Sequence, residues 1–184
     1  VDLLVNETQH GALRAKLQKA AFNCKNDLLT KMVREFPSLQ GIMGGLYLQA
    51  AGEDETVWKA IYGHYKPRGL TDEKLEDIGA GILSIADRMD NIAGFVGKGI
   101  KISSSKDPYG IRRDASAIIK IIADFRLPLN LAPLIRLAAL HFAKSDADLQ
   151  QNTRTLRELL ASRLESYLKD HLKCRYDVVN AVMG

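Results

Sequence analysis

Three side chains of the kinds that bind divalent metal ions are spread along the first half of the chain. Asp27 lies in the run CKNDL, His64 in GHYKP and Asp87 in SIADRMDNI. A divalent cation needs several carboxylate or imidazole groups that converge from different parts of the chain. If helices bring these three residues together, the sequence contains ligands for a metal ion that activates water for hydrolysis.

The order of these residues resembles the helical HD superfamily of metal-dependent phosphohydrolases. In that superfamily a His-Asp pair and distant His and Asp residues hold the metal, and the resemblance assigns Asp27, His64 and Asp87 to such positions. Asn26 stands where the pair has its histidine, and an amide is a poor substitute for an imidazole ligand. We therefore interpret Asn26, Asp27, His64 and Asp87 as degenerate positions, with no catalytic residue and no metal. A working phosphohydrolase is the alternative.

A second candidate site is basic and lies between two helical segments. Asp107 and Pro108 are typical of a helix start, with an N-cap acceptor followed by proline at the first helical position. With the following isoleucines turned inward, we expect Arg113 and Lys120 to point away from the core. A helix N-terminus attracts anions, so the residues leave open either phosphate binding or a solvated helix start. The candidate phosphate-binding residues are Lys98, Lys101, Lys106, Arg112 and Arg113.

Helical periodicity positions both candidate sites. Apolar residues recur at three- and four-residue steps in nearly every segment, and no segment has the alternation of a strand. We therefore predict an all-α fold, an HD-domain-like helical bundle over residues 1–146 with a helical extension over 147–184. We expect one helix to end near residue 35, before Pro37, and a second to run from about 72 to 96. A third is expected to begin after Pro108, and a fourth to run from about 149 to 172.

The composition fits a folded globular protein and excludes several other classes. A net charge of +4 is mild and compatible with nucleic-acid binding. Cys24 and Cys174 lack a paired spacing, which favours a reduced, cytoplasmic protein, and no apolar run is long enough for a membrane span. The glycines of GIMGG, Gly41 to Gly45, are separated by apolar side chains. This spacing favours tight helix packing over a phosphate-binding loop.

Several longer blocks are similar to the beta subunit of bacterial heterotetrameric glycyl-tRNA synthetase. The block CKNDLLTKMVREFPSLQGIMGG resembles a Lys-x-Asp-Leu helix of that family, followed by Glu-Phe-Pro-x-Leu-Gln-Gly-x-Met-Gly. AIYGHYKP, SIADRMDNIAGFVGKG and SSSKDPYGIRRDASAIIKII follow in the order of the family, and LESYLKDHLKCRYDVVNAVM resembles the approach to its C-terminal region. The similarity is dense over about residues 24–122 and returns over about 157–183.

The resemblance implies that the chain is a fragment of this subunit containing its HD-like helical domain, without the anticodon-binding region. The family generally lacks an intact His-Asp pair at KND. The complete α2β2 enzyme attaches glycine to its tRNA with ATP and Mg²⁺ at the alpha subunit, so no cofactor is expected in the fragment itself. Its implied role is to help bind and position glycine tRNA through the basic residues named above. The alternative is a purely structural module between domains or subunits.

Overall fold

The computed structural model describes residues 1–100, 102 and 107–183. Within these residues the chain forms ten α-helices and no strand, which confirms the all-α prediction. None of these helices is both long and apolar enough to cross a membrane. In chain order the helices are α1 (Asp2–Glu7), α2 (Arg14–Asn23), α3 (Lys31–Glu35), α4 (Ile42–Ala50), α5 (Glu55–Gly63), α6 (Ile78–Gly97), α7 (Ile111–Phe125), α8 (Leu131–Phe142), α9 (Asp146–Ser166) and α10 (Tyr176–Met183).

Helix α6 is the centre of the bundle, because helices α2, α5, α7, α8 and α9 all pack against it. Its isoleucines at positions 82, 85 and 92 are buried, in agreement with the predicted apolar stripe. Burial of an aliphatic side chain of this size contributes about 1.5–3 kcal/mol. Residues on α6 are therefore held firmly relative to the helices on either side.

The single helix predicted up to residue 35 is wrong, because the chain breaks between α2 and α3. A 3-10 turn over Asn26–Leu29 interrupts it, and Leu28 in this turn is exposed. The carboxylate of Asp27 turns inward and accepts a hydrogen bond from the backbone N–H of Gly41 at 2.6 Å. Thr30 then caps α3 by accepting from the N–H of Val33. The predicted end before Pro37 is confirmed, since α3 ends at Glu35.

The start of α6 also differs from the prediction. The helix begins at Ile78 rather than near residue 72, because the carboxylate of Asp77 caps it by accepting from the N–H of Ala80 at 2.7 Å. Leu75 lies before the helix and is still buried. Leu75 thus falls within the predicted helix but outside the observed one.

Helix α7 begins three residues later than Pro108. Gly110, with a φ of 70°, is its N-cap residue, and a left-handed φ is easily adopted only by glycine. Asp107 still caps the helix from a distance, since its Oδ2 atom accepts from the backbone N–H groups of Arg112 at 3.0 Å and Arg113 at 3.2 Å. Asp107 is thus confirmed as the hydrogen-bond acceptor at the start of this helix, but it is not the N-cap residue.

The prediction that Lys120 points away from the core is wrong. Its side chain is buried, and its Nζ atom lies 3.0 Å from Oδ2 of Asp124, one turn further along α7. Helix α7 packs against both α6 and α9, so less of its surface faces solvent than a one-sided helix would expose. Arg113, by contrast, is exposed as predicted.

The long helix predicted over about residues 149–172 is α9, which begins at Asp146 and continues beyond Ser166 as a π-helical turn over Tyr167–His171. It packs against α6, α7 and α8, and Leu156 is fully buried in the common core. The side chain of Ser145 caps α9 by accepting from the N–H of Asp148. The predicted division between residues 146 and 147 therefore falls at the start of a helix, and the division into two units stays a prediction.

Candidate functional site

Close packing of α4 against α5 positions the residues on one side of the site. A Cβ atom added at Gly45 would lie 2.6 Å from Cβ of Tyr62 and 2.9 Å from the carbonyl oxygen of Trp58. A Cβ atom at Gly44 would lie 3.2 Å from Cγ of Asp27. The glycines of GIMGG therefore allow close helix contact, as predicted, and they bring the Asp27 turn beside α5.

Four side chains then meet in what we call the Lys25 cluster, formed by Lys25, His64, Tyr65 and Asp87. The Nζ atom of Lys25 donates to Oδ2 of Asp87 at 2.8 Å and to the hydroxyl of Tyr65 at 2.9 Å. It also lies 3.4 Å from Nε2 of His64 and 4.2 Å from the centre of the Tyr65 ring. Lys25 follows α2, His64 follows α5 and Asp87 lies on α6, so the cluster joins three parts of the chain.

His64 enters the cluster as a neutral imidazole. It is fully buried, and its Nδ1 atom lies 2.6 Å from the carbonyl oxygen of Ile61, to which the Nδ1–H group donates. This tautomer leaves a lone pair on Nε2, which accepts from the ammonium of Lys25. Burial lowers the pKa of His64 to about 4. The ring therefore carries no charge at pH 7.

Lys25 is the positive charge of the cluster. Burial opposes its charged form, but the hydrogen bonds and charge of Asp87, together with Tyr65, outweigh burial and raise the pKa of Lys25. The side chain is therefore an ammonium ion at neutral pH. A cation belonging to the protein lies between two of the predicted metal ligands, His64 and Asp87.

The other two predicted HD-type positions have different surroundings. Asp27 is buried, and its Oδ2 atom accepts a hydrogen bond from the N–H of Gly41. Its Oδ1 atom has no hydrogen-bond partner among the described residues. Asn26 is exposed and donates to Oδ1 of Asn23 at 2.9 Å. Across the part of the chain that the structure describes, no group of three or more His, Cys, Asp or Glu side chains is placed to hold a metal. The spacing of acidic residues did not identify Lys25, although the Lys-x-Asp-Leu motif contains it.

Arg88 and Asp114 form a second, buried ion pair next to the cluster. The Nη1 atom of Arg88 lies 2.5 Å from Oδ1 of Asp114, and its Nη2 atom donates to the carbonyl oxygens of Tyr65 and Pro67 at 2.8 Å each. Its Nε–H group donates to Oγ of Ser84 at 3.1 Å. Burial raises the pKa of Asp114, and the charge of Arg88 opposes that rise. This pair ties α6 to α7 and to the segment after α5.

A polar pocket opens above these two ion pairs, with a volume of about 320 Å³. Asp87 of the Lys25 cluster and the Arg88–Asp114 pair line its buried side. The exposed side includes Arg68 and Arg113, and the ring of Tyr109 stacks on that of Phe95 with centroids 4.8 Å apart. The full lining is Gln40, Tyr65, Arg68, Asp87, Arg88, Asn91, Tyr109, Arg113 and Asp114.

The structure separates the basic residues that the sequence grouped together. Arg113 is exposed and lines the pocket, whereas Lys98 is exposed at the C-terminal end of α6 and is not one of the lining residues. Arg112 is half-buried in the first turn of α7. The predicted positions Lys101 and Lys106 lie outside the described residues. Sequence reasoning missed Arg68, which follows Pro67 in the run HYKPRG without any local signal of a site.

The fold and site define an all-α domain in which the half-buried Lys25 and a polar, arginine-lined pocket occupy the region predicted to resemble a metal site. The profile of the family described as "Glycyl-tRNA synthetase beta subunit" matches residues 2–184. The chain therefore belongs to the glycyl-tRNA synthetase beta-subunit family, as the sequence blocks predicted.

Individual relatives agree with this assignment. The chain is 40% identical over 169 residues to the glycine–tRNA ligase beta subunit of Acaryochloris marina. The aligned residues cover 92% of the chain and 24% of the relative. The identity to the same subunit of Trichodesmium erythraeum is 41% over 171 residues, covering 91% of the chain and 24% of the relative. The identity to the glycine–tRNA ligase beta subunit of Clostridioides difficile is 39% over 182 residues, covering 98% of the chain and 25% of the relative. The chain thus spans about a quarter of the length of these relatives.

Proposed function

We propose that this chain is a non-catalytic helical part of a glycine–tRNA ligase beta subunit and helps to bind and position glycine tRNA. The observation that carries the proposal is the position of two exposed cations around the connection between α6 and α7. Lys98 directly follows α6, and Arg113 lies in the first turn of α7. Both lie at the ends of helices that are packed in the core, so the positions of their charges are fixed by the fold.

Such cations suit an RNA partner. Lysine and arginine bind phosphates and release condensed counterions, which gives an affinity that falls steeply with salt. An RNA helix is recognised largely through its shape and backbone, which requires cations at fixed separations more than it requires base-specific contacts. The proposed role is therefore to hold the tRNA backbone while another part of the ligase carries out the reaction.

The Lys25 cluster supports a non-catalytic role over the phosphohydrolase alternative. The ammonium of Lys25 already binds the Oδ2 atom of Asp87 and faces Nε2 of His64, the two groups that a hydrolytic metal would need. Asn26 points toward Asn23 at the surface rather than into the cluster. In the complete α2β2 ligase, which we place in the cytoplasm, ATP and Mg²⁺ would act at the alpha subunit.

The test uses the assembled α2β2 ligase carrying Lys98→Gln and Arg113→Gln together. Loss of two phosphate contacts is expected to weaken binding of glycine tRNA about tenfold and to reduce the magnitude of the salt slope by about 1–2. Arg136→Gln on α8 and Arg154→Gln on α9, which remove exposed charges elsewhere, are the matched controls. An unchanged affinity and slope in the double variant would refute this surface. Lys101→Gln, Lys106→Gln and Arg112→Gln test the remaining predicted positions in the same assay.

A structural role is the second candidate, and exposed apolar side chains near the end of α2 favour it. Phe22 is 86% exposed and Leu29 is 85% exposed. Since the chain spans about a quarter of its relatives, we propose that another part of the beta subunit covers these side chains. Phe22→Ser and Leu29→Ser in the full-length subunit should then increase protease sensitivity without changing the salt slope of tRNA binding. Unchanged protease sensitivity would refute this packing role.

A further inference from the structure

We infer that the polar pocket binds a single ribonucleotide, with its phosphate at Arg68 and Arg113 and its ribose hydroxyls at Asp87 and Asp114. This inference rests on the proposed function in one respect, because bound tRNA would be the source of the nucleotide. The chemistry that defines the ligand belongs to the pocket alone, and so it can be tested separately.

The charges of the lining favour an anion at the exposed side of the pocket. On the buried side, Asp114 is paired with Arg88 and Asp87 with Lys25, so these charges compensate one another. The guanidinium groups of Arg68 and Arg113 form no ion pair with a carboxylate within residues 1–100, 102 and 107–183. The Nη2 atom of Arg68 donates to the carbonyl oxygen of Ser38 at 3.3 Å, and no carboxylate of the described residues pairs with either guanidinium. A guanidinium binds phosphate oxygens in a planar, two-pronged geometry.

The carboxylates on the buried side can accept hydrogen bonds from a ligand. Lys25 uses Oδ2 of Asp87 and Arg88 uses Oδ1 of Asp114, which leaves one oxygen of each carboxylate without a partner among the described residues. A carboxylate accepts hydrogen bonds and repels a second anion, so phosphate belongs beside the arginines and not here. Neutral hydroxyl groups are suitable donors, and a ribose offers two that are adjacent. The 2′-hydroxyl is also the group that distinguishes RNA from DNA.

The remaining lining residues suit a nucleobase. Tyr109 is 53% exposed, and Phe95 supports one side of its ring, which leaves a flat aromatic surface of the kind on which bases stack. Gln40 and Asn91 each provide an amide donor and acceptor for the edge of a base. A volume of about 320 Å³ is at the lower end of small-ligand sites and excludes an RNA duplex. Size and chemistry together therefore indicate one unstacked nucleotide.

The direct test titrates the 184-residue chain with AMP, 2′-deoxy-AMP and inorganic phosphate, and follows the side-chain amide NMR signals of Gln40 and Asn91. We expect AMP to shift both signals, with affinity at least threefold weaker for 2′-deoxy-AMP and weaker again for phosphate. Two results would overturn the inference. One is no AMP-dependent shift, and the other is equal affinity for AMP and inorganic phosphate.

Substitutions locate the binding. Arg68→Gln should weaken AMP binding about tenfold, and Arg136→Gln on α8, outside the pocket, should leave it unchanged. Tyr109→Leu provides a second variant on the other side of the pocket and should weaken AMP binding at least threefold. Circular dichroism melting confirms that each variant is folded. Equal AMP affinity in wild type, Arg68→Gln and Tyr109→Leu would place the ligand elsewhere and refute the inference.

The assembled ligase decides the source of the nucleotide. If tRNA supplies it, Arg68→Gln should also lower the affinity for glycine tRNA, whereas an unchanged tRNA affinity beside weakened AMP binding would overturn RNA as the source. Because Arg113 belongs to both the tRNA surface and the pocket, an unaffected Lys98→Gln/Arg113→Gln ligase would refute the tRNA surface and would also overturn tRNA as the source of the nucleotide. In that case the AMP titration still decides whether the pocket binds a nucleotide.

Discussion

The Nζ atom of Lys25 lies 2.8 Å from Oδ2 of Asp87, although 62 residues separate the two along the chain. This contact joins the segment after α2 to the middle of α6. It also gives Asp87 a cation that belongs to the protein itself. The acidic and imidazole residues that suggested a metal site are thus organised around an ammonium group.

Substitution of Lys25 by methionine tests the importance of this cation for stability. Lys25→Met keeps most of the side-chain length but leaves Asp87 without its ion-pair partner, so we expect a loss of about 1–3 kcal/mol in the free energy of unfolding. The loss should be below that of a fully buried pair because the Lys25 side chain is 40% exposed. Urea denaturation measures the change. Lys59→Met, which breaks the surface pair with Glu55, is the control and should lose much less, because an exposed ion pair contributes little to stability. Equal losses would contradict a special role for Lys25.

The buried His64 predicts acid sensitivity. Its pKa in the folded protein is about 4, below the ordinary value of 6.5, so the unfolded chain binds a proton between these values that the folded chain does not. The contribution of this group to stability is therefore constant above about pH 7, and stability decreases as the pH falls from 6.5 to 4, by about 3 kcal/mol in total. Urea denaturation at pH 7.5, 6 and 5 measures the slope. His64→Gln should flatten the slope over this range, and parallel curves for the two proteins would contradict the assignment.

The guanidinium of Arg88 should not be replaceable by an ammonium. Arg88 is 6% exposed, and its three nitrogen atoms bind Asp114, Ser84 and two backbone carbonyls. The single terminal nitrogen of lysine cannot satisfy partners that surround a planar fork. We expect Arg88→Lys to lower the free energy of unfolding by about 3 kcal/mol. Arg154→Lys, at an exposed pair with Glu158, is the control and should change the free energy of unfolding much less. A stable Arg88→Lys variant would show that charge alone is sufficient.

Close packing of α4 on α5 gives a steric prediction. In Gly45→Ala the new methyl group would lie 2.6 Å from Cβ of Tyr62 and 2.9 Å from the carbonyl oxygen of Trp58. The helices must separate, with an expected loss of about 1–3 kcal/mol. Gly11→Ala is the matched control, since no atom lies within 4 Å of the new methyl group, and its effect should stay within about 0.5 kcal/mol. Thermal unfolding compares the two. A similar melting temperature for both variants would mean that α4 and α5 are less tightly packed than these two distances indicate.

Local features of the sequence determined the fold class, several helix ends and the family. Pro37 ends α3 because the residue before a proline disfavours helical geometry. Asp107 caps α7 by accepting from the backbone N–H groups of Arg112 and Arg113. The glycines of GIMGG indicated tight packing because a missing side chain is itself the feature that permits it. Each of these inferences depends on residues that are near one another in the chain.

Only the tertiary structure decided how the site is organised. Asp27 breaks the predicted first helix because its partner, the N–H of Gly41, is 14 residues away. Lys25 becomes the cation of the cluster through contacts with His64, Tyr65 and Asp87, and Arg68 joins the pocket from a segment with no distinctive pattern. Periodicity shows which face of a helix is apolar but not which distant polar groups meet. The packing of α4, α5 and α6 determines that, and with it the identity of the cation in the site.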